Sequence, residues 1–197
     1  MQESFEKIIT TFLETSVGQV ENFLDKTLSK NLKENLLLLF AEKQFKVAGI
    51  GNNSKLQTNK LIRSDLIYWL NREHNNIHEN SFFDQLDEFV KYLNRTCYTR
   101  ITGYEFHYAY YEKGSSYKRH LDQFKDSGDR AYSMIMYLNE GWETADGGQL
   151  CIYHQDNSQL ISPINGNCVF FKSSVLEHEV LLCNKPRLSI TGWLKTN

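Results

Sequence analysis

The stretch HEVLLCNKPRLSITGW, His178–Trp193, reads as two short strands, His178–Cys183 and Arg187 onward, joined by a turn at Asn184-Lys185-Pro186. Successive side chains of a strand point to opposite faces. If the second strand is regular, Arg187, Ser189, Thr191 and Trp193 therefore share one face, with Leu188, Ile190 and Leu194 on the other. Working outward from this stretch, the same texture continues back to Cys97. Segments rich in β-branched and aromatic residues alternate with turn clusters at Tyr98–Tyr111, Ala131–Asn139, Gly148–His154 and Asn167–Lys172.

Upstream of Cys97 the period changes to that of helices. Phe5, Ile8, Ile9, Phe12 and Leu13 recur at helical spacing, and Gly18 marks a break. A second helical segment, Val20 to Phe40, carries Phe23, Leu24, Leu28, Leu32, Leu36 and Phe40. A third is predicted over Ser81 to Asn94, with Ser81 as N-cap and Phe82, Leu86, Phe89, Val90 and Leu93 as its apolar stripe. Gly49 to Lys60 is polar and turn-rich and reads as a loop. Helices first and short strands afterwards predict a mainly β sandwich or jelly roll braced by N-terminal α-helices. With 197 residues and no linker-like stretch, the chain reads as a single domain, residues 1–197, of which 1–44 form the helical support.

Composition narrows the function. The chain is 41% hydrophobic and 23% charged, with a net charge of −2, which argues against broad electrostatic attraction to nucleic acid. The longest apolar run, Leu36 to Ala41, is too short to span a bilayer. The first residues are acidic and amphipathic, unlike a secretory leader, so a cytoplasmic protein without membrane partners is expected. Cys97, Cys151, Cys168 and Cys183 lie far apart and read as reduced thiols.

Between Tyr111 and Phe124, YEKGSSYKRHLDQF places His120 and Asp122 two residues apart. On a strand, residues i and i+2 point to the same side. Two imidazoles and a carboxylate can hold one face of a metal and leave the other open. His178, opening an apolar strand, is the candidate third donor. Taken singly, either histidine is more simply an ordinary surface or core residue. His74, His78, His107 and His154 read as structural. Arg187 strengthens the pattern: a buried arginine needs a fixed anionic partner, and its own strand offers no carboxylate. A bound dicarboxylate, gripped by two parallel bonds, would serve.

The ordered set Tyr111-x-x-Gly114-x-x-Tyr117-x-x-His120-x-Asp122, then His178 and Arg187, resembles the 2-oxoglutarate- and Fe(II)-dependent dioxygenases. Within them it is most similar to the prolyl 4-hydroxylase branch, of the oxygen-sensing type and its bacterial relatives. IRSDLIYWL (Ile62–Leu70) and MYLNEGWETADGGQL (Met136–Leu150) agree with it, so the match spans about residues 45 to 195. The resemblance implies a double-stranded β-helix, a distorted cupin-like jelly roll, with its catalytic region over 45–197. It implies His120, Asp122 and His178 as iron ligands, and Arg187 with Tyr137 on the distal carboxylate of 2-oxoglutarate. Leu150, Thr191 and Trp193 would line the cosubstrate pocket beside Tyr111. The spacer from Tyr111 to His120 is one residue shorter than in the oxygen-sensing enzymes, so the aromatic beside the cosubstrate is Tyr111 or Tyr110. Fe(II), 2-oxoglutarate and O2 are implied as cofactor and cosubstrates, with ascorbate as an accessory.

The implied reaction is hydroxylation of prolyl residues in a protein or peptide, with 2-oxoglutarate decarboxylated to succinate and CO2. Asp122 favours hydroxylation over halogenation, because related halogenases carry a small residue there. The loop from Gly49 to Lys60, with Leu61, Ile62 and Arg63, would lie where similar enzymes close over peptide substrate. Three alternatives are a hydroxylase of free amino acids or other small molecules, a jelly roll that only binds ligand, and a nucleic-acid demethylase. The last would carry a second arginine six residues after Arg187, where this chain has Trp193.

Overall fold

Asp25 and Asn76 mark where the two longer helices begin. In this computed structural model, which describes residues 2–49, 62–123 and 129–196, α1 (Gln2–Thr15) is followed by β1 (Val17–Val20) and α2 (Lys26–Ala41). Then come β2 (Lys46–Val47), β3 (Leu66–Trp69) and α3 (Ile77–Cys97). The Asp25 carboxylate accepts from Leu28 N at 2.8 Å, and the Asn76 side chain accepts from His78 N and Glu79 N, satisfying N–H groups that a helix start leaves free.

Eight strands follow: β4 (Gly103–Tyr111), β5 (Tyr117–His120), β6 (Arg130–Tyr137), β7 (Leu150–Tyr153), β8 (Ser158–Ile161), β9 (Cys168–Lys172), β10 (His178–Val180) and β11 (Arg187–Lys195). Apart from the β7–β8 hairpin, which stays in one sheet, they alternate between two sheets. The larger has the order β1-β9-β6-β11-β4-β3-β2 and the smaller β5-β10-β7-β8. Strands crossing between two facing antiparallel sheets make the expected double-stranded β-helix, and the three helices all precede Tyr98, as the sequence predicts.

The central strands of the large sheet are buried on both faces. On β6, Met134 and Met136 join the layer under the helices, while Ile135 and Tyr137 point between the sheets. On β9 the split is Cys168 and Phe170 against Val169 and Phe171. The helix-side layer is completed by Phe5, Ile8, Leu32, Leu36, Phe82 and Phe89. Fully burying one aliphatic or aromatic side chain of this kind contributes about 1.5–3 kcal/mol.

Several boundaries differ from the sequence reading. Val20 is not the start of a helix: Val17–Val20 is an edge strand paired with β9. Ser16, with φ 64°, ends α1 in the left-handed region, and its N–H bonds Phe12 O at 2.8 Å. Gly18 then lets the strand lie against α1, since a Cβ there would meet Ile8 O at 2.6 Å. The third helix starts at Ile77 rather than Ser81 because Asn76 takes the capping role, and the Ser81 hydroxyl instead bonds Ile77 O. β3 and β8 were not read as strands; Ser158–Ile161 is short and framed by polar turn residues. Residues 50–61 of the loop expected to cover substrate lie outside the described residues. Among the described residues, no helix is long and apolar enough to cross a membrane.

Candidate active site

β10 sits between β5 and β7, and its first residue, His178, is directly opposite His120 at the end of β5. β5 stops at His120, so Asp122 lies just beyond the strand and not on it as expected; the chain bends there and still carries the carboxylate to the two imidazoles. His120 Nε2 lies 3.4 Å from Asp122 Oδ1, and His178 Nε2 lies 3.5 Å from Asp122 Oδ2. One donor atom from each residue falls within 4.8 Å of the others, a spacing that could hold a metal ion.

The surroundings fix the state of each donor. His120 Nδ1 is 2.7 Å from Lys118 O and His178 Nδ1 is 3.2 Å from Leu176 O. A carbonyl can only accept, so each Nδ1 carries the proton and each Nε2 presents its lone pair to the centre. Tyr117 stacks on the His120 ring, centroids 3.6 Å apart and planes 16° apart. Burial pushes the His178 pKa down to about 4 against a partial upward pull from Asp122, keeping the imidazole neutral. Burial alone would raise the Asp122 pKa. At the low pH where the carboxyl would titrate, positive charge on the two imidazoles and the Ser133 hydroxyl, which donates to Oδ2 at 2.6 Å, outweigh it and hold the carboxyl well below the usual range. Ser133 is itself 2.9 Å from the Ser173 hydroxyl.

From this trio a cavity runs between the sheets to Arg187, passing Thr191, Leu150 and Tyr111. Arg187 is only 1% exposed, and none of the ion pairs among the described residues includes it. Its Nε donates to Gly148 O at 2.9 Å and Nη1 to the Ser189 hydroxyl at 3.4 Å, while Nη2 is buried without a described partner. Gly148, at φ 62°, makes room: a Cβ there would press on Arg187 Cδ at 3.1 Å. Tyr111 and Tyr137 present their rings to the guanidinium at 5.0 and 5.1 Å. The Tyr137 hydroxyl is also buried without a described partner, and burial, opposed by Arg187, pushes its pKa up to about 12. A buried cation and a neutral buried hydroxyl, both with unused donors, suit a carboxylate. At the other end, two imidazole nitrogens and an ionised carboxylate suit a ferrous ion.

A model of the 2OG-Fe(II) oxygenase superfamily matches residues 106–195, which hold all of these donors. A Pseudomonas putida prolyl-4-hydroxylase superposes with a TM-score of 0.88 at 29% identity, over 98% of this chain and 99% of that one. Residues 106–195 therefore form a 2OG-Fe(II) oxygenase domain, and the chain as a whole is similar to enzymes of the prolyl hydroxylase branch. Two further structures share the fold. A Trichoplax adhaerens prolyl hydroxylase, solved with a hypoxia inducible factor peptide fragment, has a TM-score of 0.87 at 24% identity, covering 98% of this chain and 91% of that one. A collagen prolyl hydroxylase of Paramecium Bursaria Chlorella virus-1, solved with 2OG, has a TM-score of 0.61 at 16% identity, covering 93% and 97%. The matched oxygenase domain is of the type that uses Fe(II), 2-oxoglutarate and O2.

Placement of the oxygenase's other expected site residues is clear. Leu150 opens β7, fully buried on the cavity wall, and Thr191 and Trp193 face the cavity from β11. Tyr111 rather than Tyr110 adjoins Arg187, because alternation along β4 sends Tyr110 to the helix side, stacked on Phe40 at 3.9 Å. Sequence reasoning missed four groups. Arg63 makes a two-pronged ion pair with buried Asp65 at 2.7 and 2.9 Å, and its guanidinium lies 4.7 Å from the Tyr117 ring centre. Ser133 orients Asp122. His107, set aside as structural, lines the cavity. Its signal was present: two steps of two along β4 from Tyr111 reach Ala109 and then His107.

Proposed function

We propose that this oxygenase hydroxylates prolyl residues of a protein or peptide, with His120, Asp122 and His178 holding Fe(II). Arg187 and Tyr137 would bind the distal carboxylate of 2-oxoglutarate, while Tyr111, Leu150, Thr191 and Trp193 shape the pocket around its chain. The observation that carries this is the joining, in one cavity, of the three convergent metal donors with a buried arginine whose Nη2 is unpaired, beside which the Tyr137 hydroxyl is likewise unpaired. The prolyl assignment is supported by similarity to the Pseudomonas putida prolyl-4-hydroxylase along nearly the whole chain.

Bound iron and 2-oxoglutarate supply oxidative decarboxylation to succinate and CO2, coupled to insertion of one oxygen atom of O2 into a C–H bond. The protein contributes position and exclusion of water. Ser133 fixes the Asp122 carboxylate, Lys118 O and Leu176 O fix the two imidazole tautomers, and Arg187 sets the direction of the diacid. Leu150, Ile135 and Val180 make the cavity wall apolar beside the reacting centre.

Intact-mass analysis of proline-containing peptides incubated with enzyme, Fe(II) and 2-oxoglutarate tests the proposal. A gain of one oxygen atom, mapped by fragmentation to proline and absent without 2-oxoglutarate, is expected. Oxygen gained only by free amino acids, with peptides untouched, would move the enzyme to small-molecule substrates.

A further inference from the structure

We propose that His107 is a cosubstrate-binding residue, whose imidazole hydrogen-bonds the 2-oxo acid end of 2-oxoglutarate beside the metal donors. This rests on the Fe(II)/2-oxoglutarate assignment above and names a residue in that site outside the trio and Arg187.

Three observations lead to it. His107 is 1% exposed, yet neither ring nitrogen finds a hydrogen-bond partner among the described residues. A neutral imidazole has one donor and one acceptor, and burying both unmet is unfavourable, so its retention needs a reason. The ring borders the cavity, packed against both Trp69 and Trp193 at centroid distances of 4.9 and 5.6 Å. Those contacts orient it and leave its nitrogens unused.

The strand register says which part of the ligand it meets. Arg187 is opposite Tyr111, and Thr191 is opposite His107. The Arg187 guanidinium reaches along β11 to Ser189, whose hydroxyl is 3.2 Å from that of Thr191. Hence the arginine head sits about one two-residue step, roughly 6.7 Å, below the Thr191–His107 level. An extended five-carbon diacid is about that long. With one carboxylate on Arg187, its other end arrives level with His107. His107 lines the same cavity as His120, Asp122 and His178. Burial, reinforced by both arginines and only partly opposed by Asp122, holds its pKa well down, so it offers a neutral N–H rather than a competing cation.

Calorimetric titration of 2-oxoglutarate into protein loaded with Mn(II), which does not turn over, gives the test. His107→Phe keeps a flat ring against the two tryptophans and removes both polar atoms. It should weaken 2-oxoglutarate binding tenfold or more, the range of a hydrogen bond to a charged group. His107→Gln, which retains a donor, should stay within about threefold of wild type. Mn(II) affinity without cosubstrate should not change, and the ligand-free His107→Phe protein should melt no lower than wild type. A structural role for His107 predicts the reverse, a lower melting temperature with intact affinity. Wild-type affinity in His107→Phe, while Arg187→Met has lost it, overturns the role of His107 and leaves the cosubstrate assignment standing. Wild-type affinity in both variants overturns that assignment and this inference together. Should His107→Phe fail to fold, His107→Met is judged by the same criteria.

Discussion

On β11, Leu188, Ile190 and Leu194 point to the helices, while Arg187, Ser189, Thr191 and Trp193 point between the sheets, and all but Thr191 are withdrawn from water. The helix side is hydrocarbon packed on hydrocarbon. The cavity side keeps a guanidinium nitrogen and the Trp193 indole N–H without described partners. β4 repeats the division: Phe106 and Tyr108 join the helix-side core, whereas His107 and Tyr111 face the cavity. Burial alone therefore does not mark a residue as structural. What separates the faces is whether the buried groups are satisfied by the protein itself, and the unsatisfied face is where ligands complete the structure.

Substitutions on either side can break this division or sharpen it. The largest effect is expected from Asp122→Ala on the cavity side: succinate formation should fall to background, with metal binding lost and the circular dichroism spectrum unchanged. Next, Ile190→Ala on the helix side should destabilise the fold by about 2–5 kcal/mol, read from denaturant unfolding, with 2-oxoglutarate affinity kept in the folded fraction. Arg187→Met should do the opposite. Cosubstrate binding should weaken by about 1.5–3 kcal/mol, while the ligand-free melting temperature holds or rises, because a buried charge without a described counter-ion has been replaced by a similar apolar stem.

The smallest effect is a pH slope. His107 is neutral when buried and titrates near 6.5 when unfolded, so the unfolded state binds the extra proton. Stability of the metal-free protein should be complete above about pH 6.5 and fall as pH drops below it, with at most about 1.4 kcal/mol per pH unit from this group. His107→Phe should flatten that slope in thermal melts between pH 7 and 5; an unchanged slope would show that His107 takes up the proton freely in the fold.

Much of this division was legible in the sequence. The two-residue period of RLSITGWLK placed Arg187, Ser189, Thr191 and Trp193 on one face, and the strand-rich half gave the jelly roll. The spacing of His120 and Asp122 was read as a strand pair, although only His120 is on the strand. Edges were less legible for physical reasons. β1 owes its place to pairing with β9 and to the close approach that Gly18 allows, and neither is local. Ser81 looked like an N-cap because nothing in the local pattern ranks it below Asn76. Arg63, Ser133 and His107 reach the site through pairings with residues far along the chain: Tyr117, Asp122 and Thr191. Period two along β4 did point to His107, but an isolated histidine carries no sign that its nitrogens will be left unpaired.

The proposed site has His120, Asp122 and His178 sharing one ferrous ion while Arg187 grips a diacid in the same cavity. An anaerobic crystal soaked with Fe(II) and 2-oxoglutarate, measured at the iron absorption edge, examines it directly. One anomalous peak bounded by His120 Nε2, His178 Nε2 and an Asp122 oxygen, with a carboxylate of the diacid on Arg187 Nη2, is predicted. Iron bound elsewhere, or Arg187 bare with 2-oxoglutarate at saturating concentration, would contradict it.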